Sequence, residues 1–196
     1  MRKFASLVFF ACLFGGLTVE ARGMTLWDLA SLTPEEYHDI FVNKCVTPTI
    51  KDFRGHKLNG LILDIANWGI GKRVYFLYTG KMLDALTGKL YSQQLTFQKR
   101  FYPADNERGE SGINFWPVKG GESMPMKIYL SPAIEDSSIE SLKIDYAVPS
   151  NNPITEQILV DEVRQIPGSH LYLGKMYYRE FGRYLFFLWF ALEKAD

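Results

Sequence analysis

The sequence predicts a mainly β protein with minor helical content: an antiparallel β-barrel with helices at its N-terminus and one helix before the last hairpin. Three observations carry this reading. Aromatic residues make up 15% of the chain, a density that suits strands and ring-lined cores. From Arg73 onward apolar residues recur with a period of two between turn-rich pieces. Near its end the chain carries "YLFFLWFAL", nine consecutive apolar or aromatic residues from Tyr184 to Leu192, against the roughly 20 that a membrane helix needs.

That run is long enough for a transmembrane strand, but outer-membrane barrels keep long alternating strands throughout. Here about seven strands are predicted, several interrupted by Pro117, Pro125 or Pro132, and the charged "LEKAD" follows. The run therefore reads as a core strand buried on both faces. Leu185, Phe187, Trp189 and Ala191 would share one face and Phe186, Leu188 and Phe190 the other. The Trp189 set is expected inside the barrel, and the other set beneath the helix that precedes the last hairpin.

The elements follow in order. Residues 1–21 have the form of a signal peptide: Arg2 and Lys3, an uncharged stretch of about 16 apolar residues, then Val19-Glu20-Ala21 as a small-residue cleavage site. An uncleaved anchor is the alternative. Residues 22–72 read as a helical region packed on the barrel. In "SLTPEEYHDIFVNKC", Thr33 caps, Pro34 suits the first turn, and Glu35 and Glu36 face the positive end of the helix dipole. Tyr37, Ile40, Phe41 and Cys45 then lie on one face. In "LNGLILDIANW", Leu58, Leu61, Ile62 and Ile65 recur at three and four, which predicts a second short helix despite Gly60.

The barrel is expected over 73–196. Val74, Phe76 and Tyr78 alternate with Arg73, Tyr75 and Leu77. In "LTFQKRF", Leu95, Phe97 and Phe101 oppose Thr96, Gln98 and Arg100. "INFWPVK" and "MPMKIYLSP" continue the pattern, and "LKIDYAV" sets Leu142, Ile144, Tyr146 and Val148 against Lys143 and Asp145. An inserted helix is expected over 153–166, from Pro153 with Ile154, Ile158, Val163 and Ile166 near helical spacing, ending before Pro167-Gly168. "HLYLGKMYYRE" and "RYLFFLWFALE" form the final hairpin around Phe181-Gly182.

At 196 residues a single domain is expected, and the 22 basic and 22 acidic residues balance, which gives no footprint for nucleic acid. Catalytic signatures are weak. "GESGI" at 109–113 and "GESMP" at 121–125 resemble a serine nucleophile elbow but lack its last glycine and read as polar loops. His38, His56 and His170 have no metal-ligand spacing, and "WGIGK" at 68–72 lacks a phosphate-loop context. With Cys12 inside the signal, Cys45 is the remaining thiol and reads as buried and inert. In "VDEVRQ", Asp161, Glu162 and Arg164 crowd together, and a carboxylate pair there would suit acid–base work if one member were buried.

"GHKLNGLILDIANWGIGKR" (55–73) resembles a segment of bacterial proteins of the GXWXG-motif type through Gly55, His56, Leu58, Gly60, Trp68, Gly71 and Lys72. "NKCVTP" stands where the naming motif would fall. "DEVRQIPGSHLYLGKMYYR" and "FFLWFALE" are likewise similar to bacterial envelope proteins. The resemblance implies a lipocalin-like fold and supplies no catalytic residues.

Together these readings point to a secreted or periplasmic barrel that binds a hydrophobic small molecule, such as a lipid or fatty acyl chain, without a cofactor or metal. Its ligand-lining candidates are Trp68, Phe76, Phe97 and Phe115 from the first half, and Ile128, Tyr146, Tyr177 and Trp189 from the second. A lipid binder of this kind also leaves room for peripheral contact with a membrane. The alternatives are a small lipid- or ester-processing enzyme using Asp161, Glu162, Arg164 or His170, and a filled-barrel structural or interaction protein of the cell envelope.

Overall fold

The closing strand sets the architecture. In the computed structural model, which describes residues 24–65, 96–117, 120–147 and 152–195, Arg183–Ala195 pairs antiparallel with strands on both its edges and so closes a barrel of eight strands. In chain order these are β1 (Lys57–Ile65), β2 (Thr96–Phe101), β3 (Gly112–Trp116), β4 (Gly121–Pro132), β5 (Glu140–Asp145), β6 (Leu159–Gln165), β7 (Leu171–Glu180) and β8 (Arg183–Ala195). Each pairs with its sequence neighbours, and Leu192 lies opposite Gly60 of β1 on one side and Tyr172 of β7 on the other. The expected antiparallel barrel is therefore what the chain forms.

The helices are short: α1 (Leu26–Leu29), α2 (Pro34–Asp39), which runs on into a wider π-helical turn at Ile40–Lys44, and α3 (Ile154–Gln157). The start of α2 is built as its residues predict. Thr33 Oγ1 accepts from the Glu36 backbone N–H at 3.3 Å, and the Glu36 carboxylate accepts from the Thr33 N–H at 2.7 Å, with Pro34 in the first turn. This reciprocal capping offsets the cost of leaving the helix-end donors unpaired.

Two expectations fail, for one physical reason. Of the helix expected in "LNGLILDIANW", the described residues 58–65 form a strand instead, and the barrel begins at Lys57, not at 73. Leu58 and Ile62 point into the barrel, while Leu63 packs outward beneath the N-terminal helices. A strand buried on both faces carries apolar residues at every phase, which can mimic a helical spacing. A register shift between Ile62 and Asp64 blurs the alternation further. Likewise 153–166 is not one helix: α3 is a single turn, and β6 follows at once. Ile154 is 78% exposed, and Val163 belongs to the interior. The expected strand at 73–78, the segment 1–21 and "WGIGK" lie outside the described residues.

Two apolar clusters result. The interior one draws on Leu58, Phe97, Met126, Ile144, Val163 and Phe190 from six different strands. The outer one packs Leu29, Tyr37, Phe41 and Cys45 of the N-terminal segment onto Leu171, Leu173, Trp189 and Ala191. Trp189 is at its centre, with ring centroids 5.6 Å from Tyr37 and 5.8 Å from Phe41. The N-terminal segment, and not residues 153–166, thus covers the closing strand, and Trp189 faces outward. A bulge between Met176 and Tyr177 leaves Phe187 opposite no partner. Phe187 and Leu188 both belong to the interior cluster as a result, so the strict alternation expected along β8 breaks there.

Candidate functional site

Period two along β2 turns Phe97, Lys99 and Phe101 toward the interior. A lysine between two phenylalanines on a buried face is a costly choice unless it is paired. Lys99 is 1% exposed, and it spends its three donors inside the barrel. Its Nζ donates to Asp161 Oδ2 of β6 at 3.0 Å, to Asn114 Oδ1 of β3 at 3.2 Å, and to the Tyr146 hydroxyl just past β5. Tyr146 in turn donates to Asp161 Oδ2 at 2.8 Å.

Rings enclose this knot. Lys99 Nζ lies 5.3 Å from the Phe97 centroid, 5.2 Å from Tyr146 and 5.5 Å from Phe190, within the range in which a cation is attracted to a ring face. Burial pushes the Lys99 ammonium below its usual pKa against the pull of Asp161. Burial likewise raises Asp161 despite the charge of Lys99 and the Tyr146 hydrogen bond. Burial, then the Asp161 charge, hold the Tyr146 phenol well above its ordinary value. The group is one unit of mixed charge in an apolar core, and it leaves one acceptor unused: Asp161 Oδ1 is buried without a hydrogen-bond partner among the described residues.

Close backbone approach lets the rings fill this space. A Cβ on Gly60 would meet the Phe97 ring at 2.4 Å, and one on Gly174 would meet the Phe190 ring at 2.2 Å. These two glycines are where β1 and β7 make room for interior aromatics.

Of the residues expected to line a ligand site, Phe97, Ile128 and Tyr146 do face the interior. Trp189 and Tyr177 are buried on the outer side of the wall, where Tyr177 meets Phe186 at 5.9 Å. Phe115 lies half-buried on the outside, beneath the Arg100 guanidinium at 3.9 Å from its centroid. Trp68 and Phe76 fall outside the described residues. Lys99 and Asn114 are interior polar groups that pattern-reading passed over, and Asp161, singled out only as half of an acid–base pair, joins them inside the barrel. Lys99 could have been found from its place between Phe97 and Phe101.

The acid–base pair does not assemble. Neighbouring residues of a strand point to opposite faces, so Asp161 enters the barrel while Glu162 and Arg164 leave it. Arg164 Nη1 donates to the Phe41 and Val42 carbonyls, and His170 is exposed on the β6–β7 loop. Ser111 of "GESGI" donates to Asp105 at 2.7 Å and accepts from the Ile128 N–H at 3.1 Å, a structural role. Cys45 is buried, and burial lifts its thiol to about 12, which leaves it protonated and a poor nucleophile near neutral pH. Among the described residues no group of side chains could hold a metal ion. No protein-family model, curated protein or solved structure matches this chain, so its chemistry is read from the barrel and its side chains alone.

Proposed function

We propose that the protein is a non-enzymatic binding barrel that takes a hydrophobic small molecule, a lipid or fatty acyl compound, into its ring-lined interior. The observation that carries this reading is the bare Asp161 Oδ1 among aromatic side chains. Apolar walls with one convergent polar group are the usual make-up of a small-molecule site. Because Lys99 has no donor left over, the open position accepts a hydrogen bond and favours a ligand whose head donates one.

This makes the head group a test. A long-chain alcohol or monoacylglycerol is expected to bind more tightly than the corresponding fatty acid anion, whose charge would face Asp161. Trp116 is the reporter, since it packs on the interior cluster with its centroid 5.7 Å from Phe97. With Trp27, Trp68 and Trp189 replaced by phenylalanine, its emission should shift on ligand addition. Lipid extraction and mass spectrometry of the purified protein supply the natural candidates. Silence across a broad lipid panel would favour the second reading, a filled barrel with a structural or interaction role, which the Phe97–Gly60 and Phe190–Gly174 packing supports.

Export and contact with a lipid surface belong to the same proposal, as does the likeness to lipocalin-like envelope proteins. If the chain is secreted or periplasmic, N-terminal sequencing of the mature form should begin at Arg22; a form retaining Met1 in the cytoplasm would remove this part of the reading. For membrane contact the support is Phe181, 97% exposed at the tip of the β7–β8 hairpin with a left-handed φ of 47°. That conformation suits glycine or asparagine better than a bulky ring. Arg183 and the half-exposed Tyr184 stand beside it. Phe181→Asn should keep or improve stability and weaken sedimentation with anionic vesicles. Unchanged vesicle binding would contradict the contact.

A further inference from the structure

The barrel wall is not equally closed at its two ends. At the end where β1 and β7 begin, Phe53 fills the mouth: it is wholly buried, with its ring centroid 5.2 Å from that of Phe101 and 4.9 Å from that of Tyr172. At the opposite end, where β5 stops and β6 starts, the wall has a seam. β4 pairs with β5 from Lys127 to Pro132 only, and its earlier residues, from Gly121 to Met126, pair with β3 alone among the described residues.

The sequence explains why the ladder stops there. Pro125 has no N–H to offer a neighbouring strand, and proline is confined to such unpaired positions. A register shift against β3 falls between Ile113 and Asn114, and Met124 takes a left-handed φ of 59°, a conformation uncommon outside glycine. The bulge turns Met124 into the interior cluster, where its sulfur accepts from Asn114 Nδ2 at 3.6 Å. Asn114 and Tyr146 belong to the polar knot around Lys99, so the seam runs beside that knot.

One side chain bridges the seam. Asn152, just ahead of α3 and buried, donates from its Nδ2 to the Pro125 carbonyl of β4 at 2.8 Å and to the Tyr146 carbonyl past β5 at 2.6 Å. It takes the place that a longer β5 would occupy in the ladder. Its own backbone carbonyl accepts from Gln157 Nε2 at 2.8 Å, which ties it to α3.

We propose that this seam is the passage by which a hydrophobic ligand reaches the interior, and that Asn152 is its latch. The inference rests on the interior ligand site proposed above and adds the route to it. Release of Asn152 frees the edge of β4 from the end of β5 and opens a gap onto Met124 and Tyr146. A latch of this kind sets the rates of entry and exit, and it leaves affinity unchanged as long as the closed form predominates.

Asn152→Leu removes both donors and keeps the side-chain volume. Native-state hydrogen exchange reads its effect without a ligand. The Tyr146 amide, which donates to the Leu159 carbonyl at 3.4 Å, should exchange about tenfold faster, with the β8 amides unchanged. An unchanged Tyr146 rate, or equal acceleration in β8, would overturn the proposal. Stopped-flow binding of 1-decanol, read from Trp116 with Trp27, Trp68 and Trp189 replaced by phenylalanine, should show both rates rising by a similar factor at constant Kd. Binding at parent rates would remove the latch and leave the interior site standing. No binding to the parent chain would remove site and passage together. Gln157→Leu loosens Asn152 without touching its amide; it should move both readouts the same way by a smaller factor, and it serves if Asn152→Leu does not fold.

Discussion

Lys99→Met should destabilise the fold by about 3–5 kcal/mol in urea titration, the usual cost of removing one member of a buried ion pair. The variant leaves Asp161 in the apolar interior with the Tyr146 hydroxyl as its remaining hydrogen-bond donor among the described residues. Removing Lys99 takes away the charge that lowers the Asp161 pKa, which burial already raises. An acid whose folded pKa stands above its unfolded value favours the folded state at low pH. Stability is then lost as pH rises from the unfolded carboxyl value, about 3.9, to the raised folded one, because the unfolded chain releases its proton first. The deficit of Lys99→Met should therefore be smallest in acid and grow toward neutral pH. The double variant Lys99→Met, Asp161→Leu should recover most of the loss, since a well-packed apolar pair replaces buried ions at little cost or even with gain. Failure of that recovery would mean that Asn114 and Tyr146 depend on the pair for their own placement.

Trp189→Ala is the second large effect, expected at about 3–5 kcal/mol from lost ring burial and the cavity left behind. Its character differs from that of Lys99→Met. Trp189 binds the N-terminal segment to the outer face of β8 through Tyr37 and Phe41, so the variant should loosen that segment before the barrel. Cys45, on the same buried face, offers the readout: its reaction with a thiol reagent should quicken well below the denaturant concentration that unfolds the strands. Interior ligand affinity should stay unchanged. A parallel loss of ligand affinity would place Trp189 in the interior pathway after all.

How much of this was legible in the sequence varies with how the residues are buried. Strands such as β2 and β5 announce themselves, because polar residues alternate with apolar ones along them, even though both faces of β5 are buried. The capping signals at Thr33, Pro34 and Glu36 are equally plain, since they depend on local hydrogen bonds only. β1 and β6 were hidden because both of their faces are covered, one by the interior and one by the N-terminal segment or the β4–β5 connection. Period two then disappears from the pattern. The side of the wall that Trp189 occupies was not readable either: it depends on which element covers β8, and the bulge at Phe187 shifts the phase partway along the strand. Within the site, the aromatic residues Phe97 and Tyr146 were found by their periodicity. Lys99 and Asn114 were not, and Asp161 was noticed only for a pairing with Glu162 that does not form, because a polar residue at an inward phase becomes meaningful only when partners from other strands are known to meet it.

The pairing of Lys57 with Ala195 has a consequence for how the chain acquires its shape. The two strands that seal the wall are separated by nearly all of the barrel's sequence, and such distant partners are slow to find each other because the intervening loop must first be closed. During synthesis β1 emerges early and stays without its β8 neighbour until the last strand has been made. Over that interval the growing sheet carries open edges at β1 and at its most recent strand, the kind of edge that templates pairing between chains. The N-terminal segment faces a similar wait, since Tyr37, Phe41 and Cys45 have no Trp189 to cover until the same strand arrives. Closure and coverage thus depend on one late event, the docking of Arg183–Ala195.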